Sequence, residues 1–249
     1  MSARLTVLLL GATGRTGRCV MEQLLGRGIG VRTIVRSARR LPADAANDPR
    51  LTVVEADLLS LDQEDLLGHV SGCDAVISCL GHTLILRGIF GPPRDLVTRA
   101  TARLCRAIEA LRPGRPVKFI LMSSVSVHRP GGLDAPRGAF ERAFVWALRG
   151  VLPPARDNQD AANFLHGGIG VAHPFVEWMV VRPDTLLESG APEYTIHEGL
   201  VSSLFAPGSS SMANVAHFMC ESVVSPEVWT RWKGTLPVIV DAGGSRSRR

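Results

Sequence analysis

The sequence predicts an α/β fold, a doubly wound parallel sheet with helices on both faces and a small C-terminal covering part. Three observations carry that reading. Short apolar runs alternate with helical patterns along most of the 249 residues. The first runs are almost continuously apolar, as strands buried on both faces are. A glycine-spaced bend, "GATGRTG" at residues 11–17, joins the first run to the first helical pattern.

Taken in order, "RLTVLLLGA" is the first strand, and residues 15–27 form a helix with Val20, Leu24 and Leu25 on one side. "GVRTIVR" is the second strand, "LTVVEAD" the third, "DAVISCLG" the fourth, "VKFILMSS" the fifth and "VEWMVVRP" the sixth. Between the fourth and fifth, residues 95–112 carry Leu96, Ala100, Leu104, Ile108 and Leu111 at helical spacing. "PPARDNQDAANFL" is a helix before the sixth strand, and "PVIVDA" near residue 240 is an edge strand. Consecutive βαβ units of this kind make a Rossmann sheet. It is read as a single domain over 1–242, with a disordered tail over 243–249 that has no apolar anchor. Two segments break the regularity. The Gly/Pro-rich stretch 82–95 and residues 129–156, with Phe140, Phe144, Val145 and Leu148, either cover a ligand as lids or pack on the body of the protein.

Composition narrows the function classes. Hydrophobic content of 45% with 20% charged residues is that of a globular chain. No apolar stretch reaches the ~20 residues of a membrane-spanning helix, and no cleavage-site pattern follows the first apolar run. The expectation is a cytoplasmic protein with no membrane partner, acting as a monomer or homodimer. The five cysteines are odd in number and lack CxxC spacing, which argues against a metal or disulfide framework. The net charge of +5 comes from scattered arginines without a basic helix or aromatic RNA motif, so no nucleic acid is expected as partner.

The glycine bend gives the first chemical reading. A strand, a GxxGxxG turn and a helix in that order form a phosphate-binding context. Gly11 permits the turn, Gly14 lets the backbone approach a pyrophosphate, and Gly17 allows close packing; Ala12, Thr13, Arg15 and Thr16 complete the loop. Where an NAD site places a carboxylate at the end of the second strand, this chain has Arg36. A guanidinium suits a 2′-phosphate, so Arg15 and Arg36 predict NADP(H). Arg39 and Arg40 are read as solvated.

"GATGRTG", Arg36, "EADL" at 55–58, "DAVISCLG" at 74–81, "FILMSSVSV" at 119–127 and "VVRPDTLLES" at 180–189 resemble the atypical short-chain dehydrogenase/reductases, in their NAD(P)H-binding, NmrA-like branch. The resemblance spans residues 4–242. It implies that Asp57 meets the adenine amine with the backbone of Leu58. Cys79, Leu80 and Gly81 would run beside the adenosine ribose, and Pro183 and Thr185 would lie near the nicotinamide. Ser124 falls on the family's catalytic serine, with Ser123 an adjacent backbone contact.

One part of that family's chemistry is missing. Its usual reductases pair the serine with Tyr-x-x-x-Lys, in which the lysine lowers the phenol pKa for proton exchange. Here the one tyrosine is Tyr194, and the two lysines are Lys118 and Lys233. The remaining proton-transfer candidates are His82 and His128, just beyond the fourth and fifth strands, and Asp157 or Asn158, near the place of the family's lysine. Asp157 either caps its helix or serves the site. The expected activity is reduction of a small organic substrate, polyketide-like or flavin-like, with NADP(H). The alternatives are a cofactor-assisted isomerase or epimerase, and a non-catalytic NADP-binding redox sensor of NmrA type.

Overall fold

A computed structural model describes residues 5–81, 93–129, 134, 153–188, 193–203 and 207–242. Six strands alternate with helices along the chain, with only a one-turn α-helix over Ala43–Ala46 between the second and third: β1 (Thr6–Leu10), α1 (Arg15–Gly26), β2 (Gly30–Val35), β3 (Leu51–Glu55), α2 (Gln63–Val70) and β4 (Ala75–Ser78) come first. They are followed by α3 (Leu96–Leu111), β5 (Val117–Met122), α4 (Pro153–Asn163) and β6 (Val176–Pro183). After β6 come β7 (Thr185–Leu187), β8 (Tyr194–His197), β9 (Ser209–Ser211), α5 (Met212–Val224), α6 (Pro226–Trp232) and β10 (Val238–Asp241).

An eight-stranded sheet runs in the order β3-β2-β1-β4-β5-β6-β10-β8. Every pair is parallel except β10 with β8. The chain winds outward from β1 in one direction and from β4 in the other. The winding therefore reverses between β1 and β4, where a crevice opens at the carboxyl ends of the strands. The glycine bend leaves β1 at that point.

Each face of the sheet carries its own core. On one face Val20, Met21 and Leu24 of α1 pack with Val215 and Met219 of α5 and with Trp229 of α6. On the other, Leu66, Leu104, Ile108 and Ala161 from α2, α3 and α4 cover Leu8, Leu10, Val76 and Phe119. The central strands are buried on both sides; β4, for example, has no exposed residue. That is why they read as unbroken apolar runs. At the sheet's border β3 has only half-buried and exposed positions.

Two expectations are corrected. "PVIVDA" does not form the sheet's edge: β10 is hydrogen-bonded to β6 on one side and to the antiparallel β8 on the other. The strand "YTIH" of β8 alternates Tyr194 and Ile196, packed on the core, with Thr195 and His197, and four residues are too short a run for that alternation to stand out from a loop. Nor does Asp157 cap its own helix. It lies in the second turn of α4, 3% exposed, and its carboxylate accepts the N–H groups of Val97 (2.8 Å) and Thr98 (2.9 Å). It caps α3, whose own N-terminal Asp95 makes no capping hydrogen bond. Past Asn163, α4 continues as a π-helical turn over Phe164–Ile169, which the sequence pattern did not announce. Residues 82–92, most of 129–152 and the tail 243–249 lie outside the described residues, and with them both lid expectations and the disordered tail.

Candidate functional site

The crevice has two walls. The first is the glycine bend. Gly11 has φ +77°, and a Cβ there would stand 2.5 Å from the Cys79 carbonyl oxygen at the end of β4. Gly17 lies on the first turn of α1, where a Cβ would come within 2.1 Å of the Gly11 oxygen. Both positions are closed to side chains by the protein itself. Gly14 is different. Its φ of −81° and ψ of 163° suit any residue, it is exposed, and a Cβ would touch only the Gly11 oxygen at 3.2 Å. No side chain caps α1 at Gly14, and among the described residues the N–H groups of Arg15, Thr16 and Gly17 have no hydrogen-bond partner. An uncapped helix start facing open space is a cradle for an anion. The residues present fit a dinucleotide pyrophosphate.

Arg36 is exposed directly after β2, and Asp57 is exposed two residues after β3. They share one border of the crevice, since Val35 is in register with Glu55. One Asp57 oxygen accepts the Leu59 N–H (2.9 Å), which holds the turn, and Leu58 is buried. Arg103 of α3 fastens this turn through the carbonyls of Leu58 (3.2 Å), Leu59 (2.5 Å) and Leu61. Arg15 is paired with Glu188 at 3.2 Å. Ala12 and Thr16 are buried under the bend, Thr13 is half-buried, and Leu80 and Gly81 continue from Cys79 at the end of β4.

The second wall stands at the carboxyl ends of β5 and β6. Ser124, Val125 and Ser126 meet Pro183, Asp184, Thr185, Ser202 and Pro207 around a cavity of about 310 Å³. Three of the expected residues, Ser124, Pro183 and Thr185, thus converge. The strand ends are tied by backbone bonds from Ser123 to Val181 (2.8 Å) and from Val125 to Pro183 (3.1 Å). The Ser124 and Ser126 hydroxyls are 2.6 Å apart and form a donor–acceptor pair. Among the described residues the buried Ser123 hydroxyl has no partner.

Sequence reasoning passed over the carboxylates that shape this wall. Asp184 accepts the Thr185 N–H (2.8 Å), the Gly208 N–H (3.1 Å) and the Ser202 hydroxyl, so it fixes the cavity's far side. Asp134 grips the wholly buried Arg182 with both oxygens, at 2.7 and 3.0 Å. Arg182 also donates to the carbonyls of Val127 and Leu236. Although burial alone opposes ionisation of Asp134, the hydrogen bonds and charge of Arg182, with the Arg129 N–H, hold its carboxyl below the usual range. The two acids follow and precede ordinary-looking residues, and only the buried arginine in "VVRPD" could have signalled them.

His128 stands beside this pair, its Nδ1 4.0 Å from Asp134. Its main chain is clamped to Gln159 of α4 by two hydrogen bonds, of 2.9 and 3.1 Å. His82 lies outside the described residues. Asp157 is committed to the start of α3, and Asn158 is half-buried on the next position of α4. Tyr194 does not line the cavity; its hydroxyl pairs with His217 Nδ1 at 2.8 Å. Among the described residues no group of three or more His, Cys, Asp or Glu is arranged to hold a metal. No described helix is long and apolar enough to cross a membrane.

Comparison with known proteins agrees with this geometry. A family model described as NAD(P)H-binding matches residues 11–226. An uncharacterized chloroplastic protein of Arabidopsis thaliana is 35% identical over 218 residues, which cover 82% of this chain and 73% of that protein. Among solved structures, a putative NADH-flavin reductase from Streptococcus pneumoniae shares the fold with a TM-score of 0.66 at 18% identity, over 96% of this chain and 100% of its own. A short-chain dehydrogenase/reductase from Veillonella parvula, solved in complex with NADP, gives 0.68 at 13% identity, over 98% of each chain.

Proposed function

The chain belongs to the NAD(P)H-binding family, and from that premise we propose that it is an NADP(H)-dependent oxidoreductase that reduces a small organic substrate without a tyrosine–lysine pair. The observation that carries the reading is the vacancy for side chains at Gly14. Its dihedrals suit any residue, its Cβ would press on one protein atom, the Gly11 oxygen at 3.2 Å, and three N–H groups unpartnered among the described residues lie beside it. These features leave room for an anion to come close at that point, and a pyrophosphate has the size and charge to do so.

Each remaining residue then has a task. Arg36 binds the 2′-phosphate, and Asp57, whose second oxygen the turn leaves unused, accepts from the adenine amine. Pro183 and Thr185 flank the nicotinamide, which supplies hydride when bound. Ser124 turns its hydroxyl toward a substrate carbonyl in the cavity, with Ser126 holding the hydroxyl in place. The substrate is a small organic molecule, flavin-like or polyketide-like, that enters the cavity of about 310 Å³ lined by Ser124, Pro183 and Thr185. The proton comes from water, from the substrate or from His128. All five cysteines are free thiols, four of them buried, which suits work in the reducing cytoplasm.

Calorimetric titration with NADPH and NADH tests the cofactor. A charge-assisted pair from Arg36 is worth roughly 1.5–3 kcal/mol, so NADPH should bind about 10- to 100-fold more tightly. Arg36→Gln should erase the difference. Equal affinities in the unaltered protein would remove the NADP(H) assignment. Steady NADPH oxidation with a panel of quinones and flavins then tests reduction itself, and tight binding without turnover would favour the redox-sensor reading.

A further inference from the structure

The glycine bend and the end of β7 are joined by one contact that neither the fold nor the proposed chemistry requires. Arg15, the first residue of α1, sends a guanidinium nitrogen to the Glu188 carboxylate at 3.2 Å across 173 residues of chain. Both side chains are largely in solvent, at 63% and 71% exposure. The pair borders a second cavity, of about 290 Å³, together with Arg18, Cys19, Glu22 and Met212. Arg18 is occupied elsewhere, donating to the Arg40 carbonyl at 2.8 Å. Arg15 is the cation of the glycine bend itself, and a carboxylate already holds it.

We propose that Glu188 sets the affinity for the dinucleotide by competing with a cofactor phosphate for Arg15. The inference rests on the reading of the glycine bend given above. Arg15 itself carries one of the three unpartnered N–H groups, so its side chain springs from the same turn against which an anion would seat. One guanidinium fork faces two claims: the Glu188 carboxylate from β7 and the phosphate from the cofactor. Binding then exchanges one ion pair for another, and the net gain from Arg15 is smaller than an unengaged arginine would give. Because the existing pair is exposed, it is weak enough to be displaced. The device lowers affinity without altering the walls of the crevice, and it lets bound cofactor leave more readily.

The test is a cycle of binding measurements by calorimetry, with NADPH and NADH as the probes. Glu188→Gln keeps the shape of the side chain and removes the competing charge. It should tighten NADPH by about two- to fivefold, the span of one exposed ion pair. The gain should vanish when Glu188→Gln is made in an Arg15→Gln background. Glu22→Gln removes an equal charge from the same cavity and should give a smaller gain. A gain shared by NADH supports exchange onto the pyrophosphate, and a gain confined to NADPH supports exchange onto the 2′-phosphate. Unchanged or weaker NADPH binding in Glu188→Gln overturns the proposal, as does a gain that persists without Arg15 or that Glu22→Gln equals. If the unaltered protein binds neither dinucleotide, the reading of the bend itself fails and takes this inference with it.

Discussion

The two walls of the crevice are built by different means. The glycine bend is shaped by backbone against backbone: Gly11 on the Cys79 carbonyl, Gly17 on the Gly11 carbonyl, and an uncapped helix start. The opposite wall, beyond β5 and β6, is held by buried carboxylates that reach across the chain. Asp134 grips Arg182, and Asp184 gathers Thr185, Ser202 and Gly208. A wall of backbone fails when a side chain is added, whereas a wall of buried charges fails when a charge is lost. The first should be indifferent to pH in the acid range and the second should not.

The largest expected effect lies on the carboxylate wall. Arg182 is fully buried and Asp134 nearly so, and removing one partner strands the other. Breaking a buried pair in this way typically costs about 3–5 kcal/mol. Arg182→Met and Asp134→Asn should each lower the urea midpoint sharply, while changing both to apolar residues of similar volume should recover much of the loss. The pH dependence follows from the depressed carboxyl of Asp134. Its contribution to stability is fully present above the unfolded-state value, about 3.9. It is lost as pH falls through the lower folded-state value, because the unfolded chain then binds the proton first. The acid unfolding transition of Asp134→Asn should therefore be shallower than that of the unaltered protein. An unchanged midpoint and acid profile in both variants would mean that the two walls do not differ as described.

The glycine wall sharpens the contrast within three residues. Gly17→Ala puts a Cβ 2.1 Å from a backbone oxygen, so the first turn of α1 must lift from the bend. Overpacking of this kind costs about 1–3 kcal/mol, and thermal unfolding should show it. Gly14→Ala adds a Cβ whose nearest neighbour is at 3.2 Å, in a backbone region open to any residue. Its loss of stability should be about 1 kcal/mol and smaller than that of Gly17→Ala, because glycine outranks alanine at an N-cap and the Gly11 oxygen has only a few tenths of an ångström to give. Yet Gly14→Val should abolish NADPH binding in the same calorimetric assay. Destabilisation by Gly14→Ala equal to that by Gly17→Ala would make the bend a mere turn.

These differences explain what could be read from the chain and what could not. The central strands are buried on both faces, so their apolar runs and the "GATGRTG" bend announced the sheet and its switch point. Backbone-built features leave local marks, because a positive φ favours glycine and a 2.1 Å approach admits nothing larger. Ser124, Pro183 and Thr185 were legible because each sits within two residues of a strand end. The partners of Asp134 and Asp157 were not, since they lie 48 and 59–60 residues away. Nothing near "RDNQD" says that its aspartate caps another helix. The strands β7, β9 and β8, of three, three and four residues, are too short to show a period.

The smallest expected effect concerns the one tyrosine. A family reductase would lose its proton relay with the phenol, but Tyr194 is far from being such a group. Its hydroxyl is engaged by His217, its ring packs edge-on against Phe218, and burial together with the Glu221 charge raises its pKa. A phenol with a raised pKa is a poor proton exchanger near neutrality. Neither lysine can correct this. Lys118 Nζ is bonded to the carbonyls of Ser222 and Val223, and Lys233 Nζ to Glu177 at 2.5 Å. Tyr194→Phe should therefore cost less than about tenfold in kcat, under ~1.4 kcal/mol, on any substrate the protein turns over. Ser124→Ala should cost more, since a single well-placed donor to a reacting oxygen is worth about 10²-fold or more. Measuring both variants on one substrate places the reacting centre. Loss of activity in Tyr194→Phe with Ser124→Ala unaffected would move that centre off the β5–β6 wall and onto β8, where an antiparallel strand rather than a parallel one would carry the chemistry.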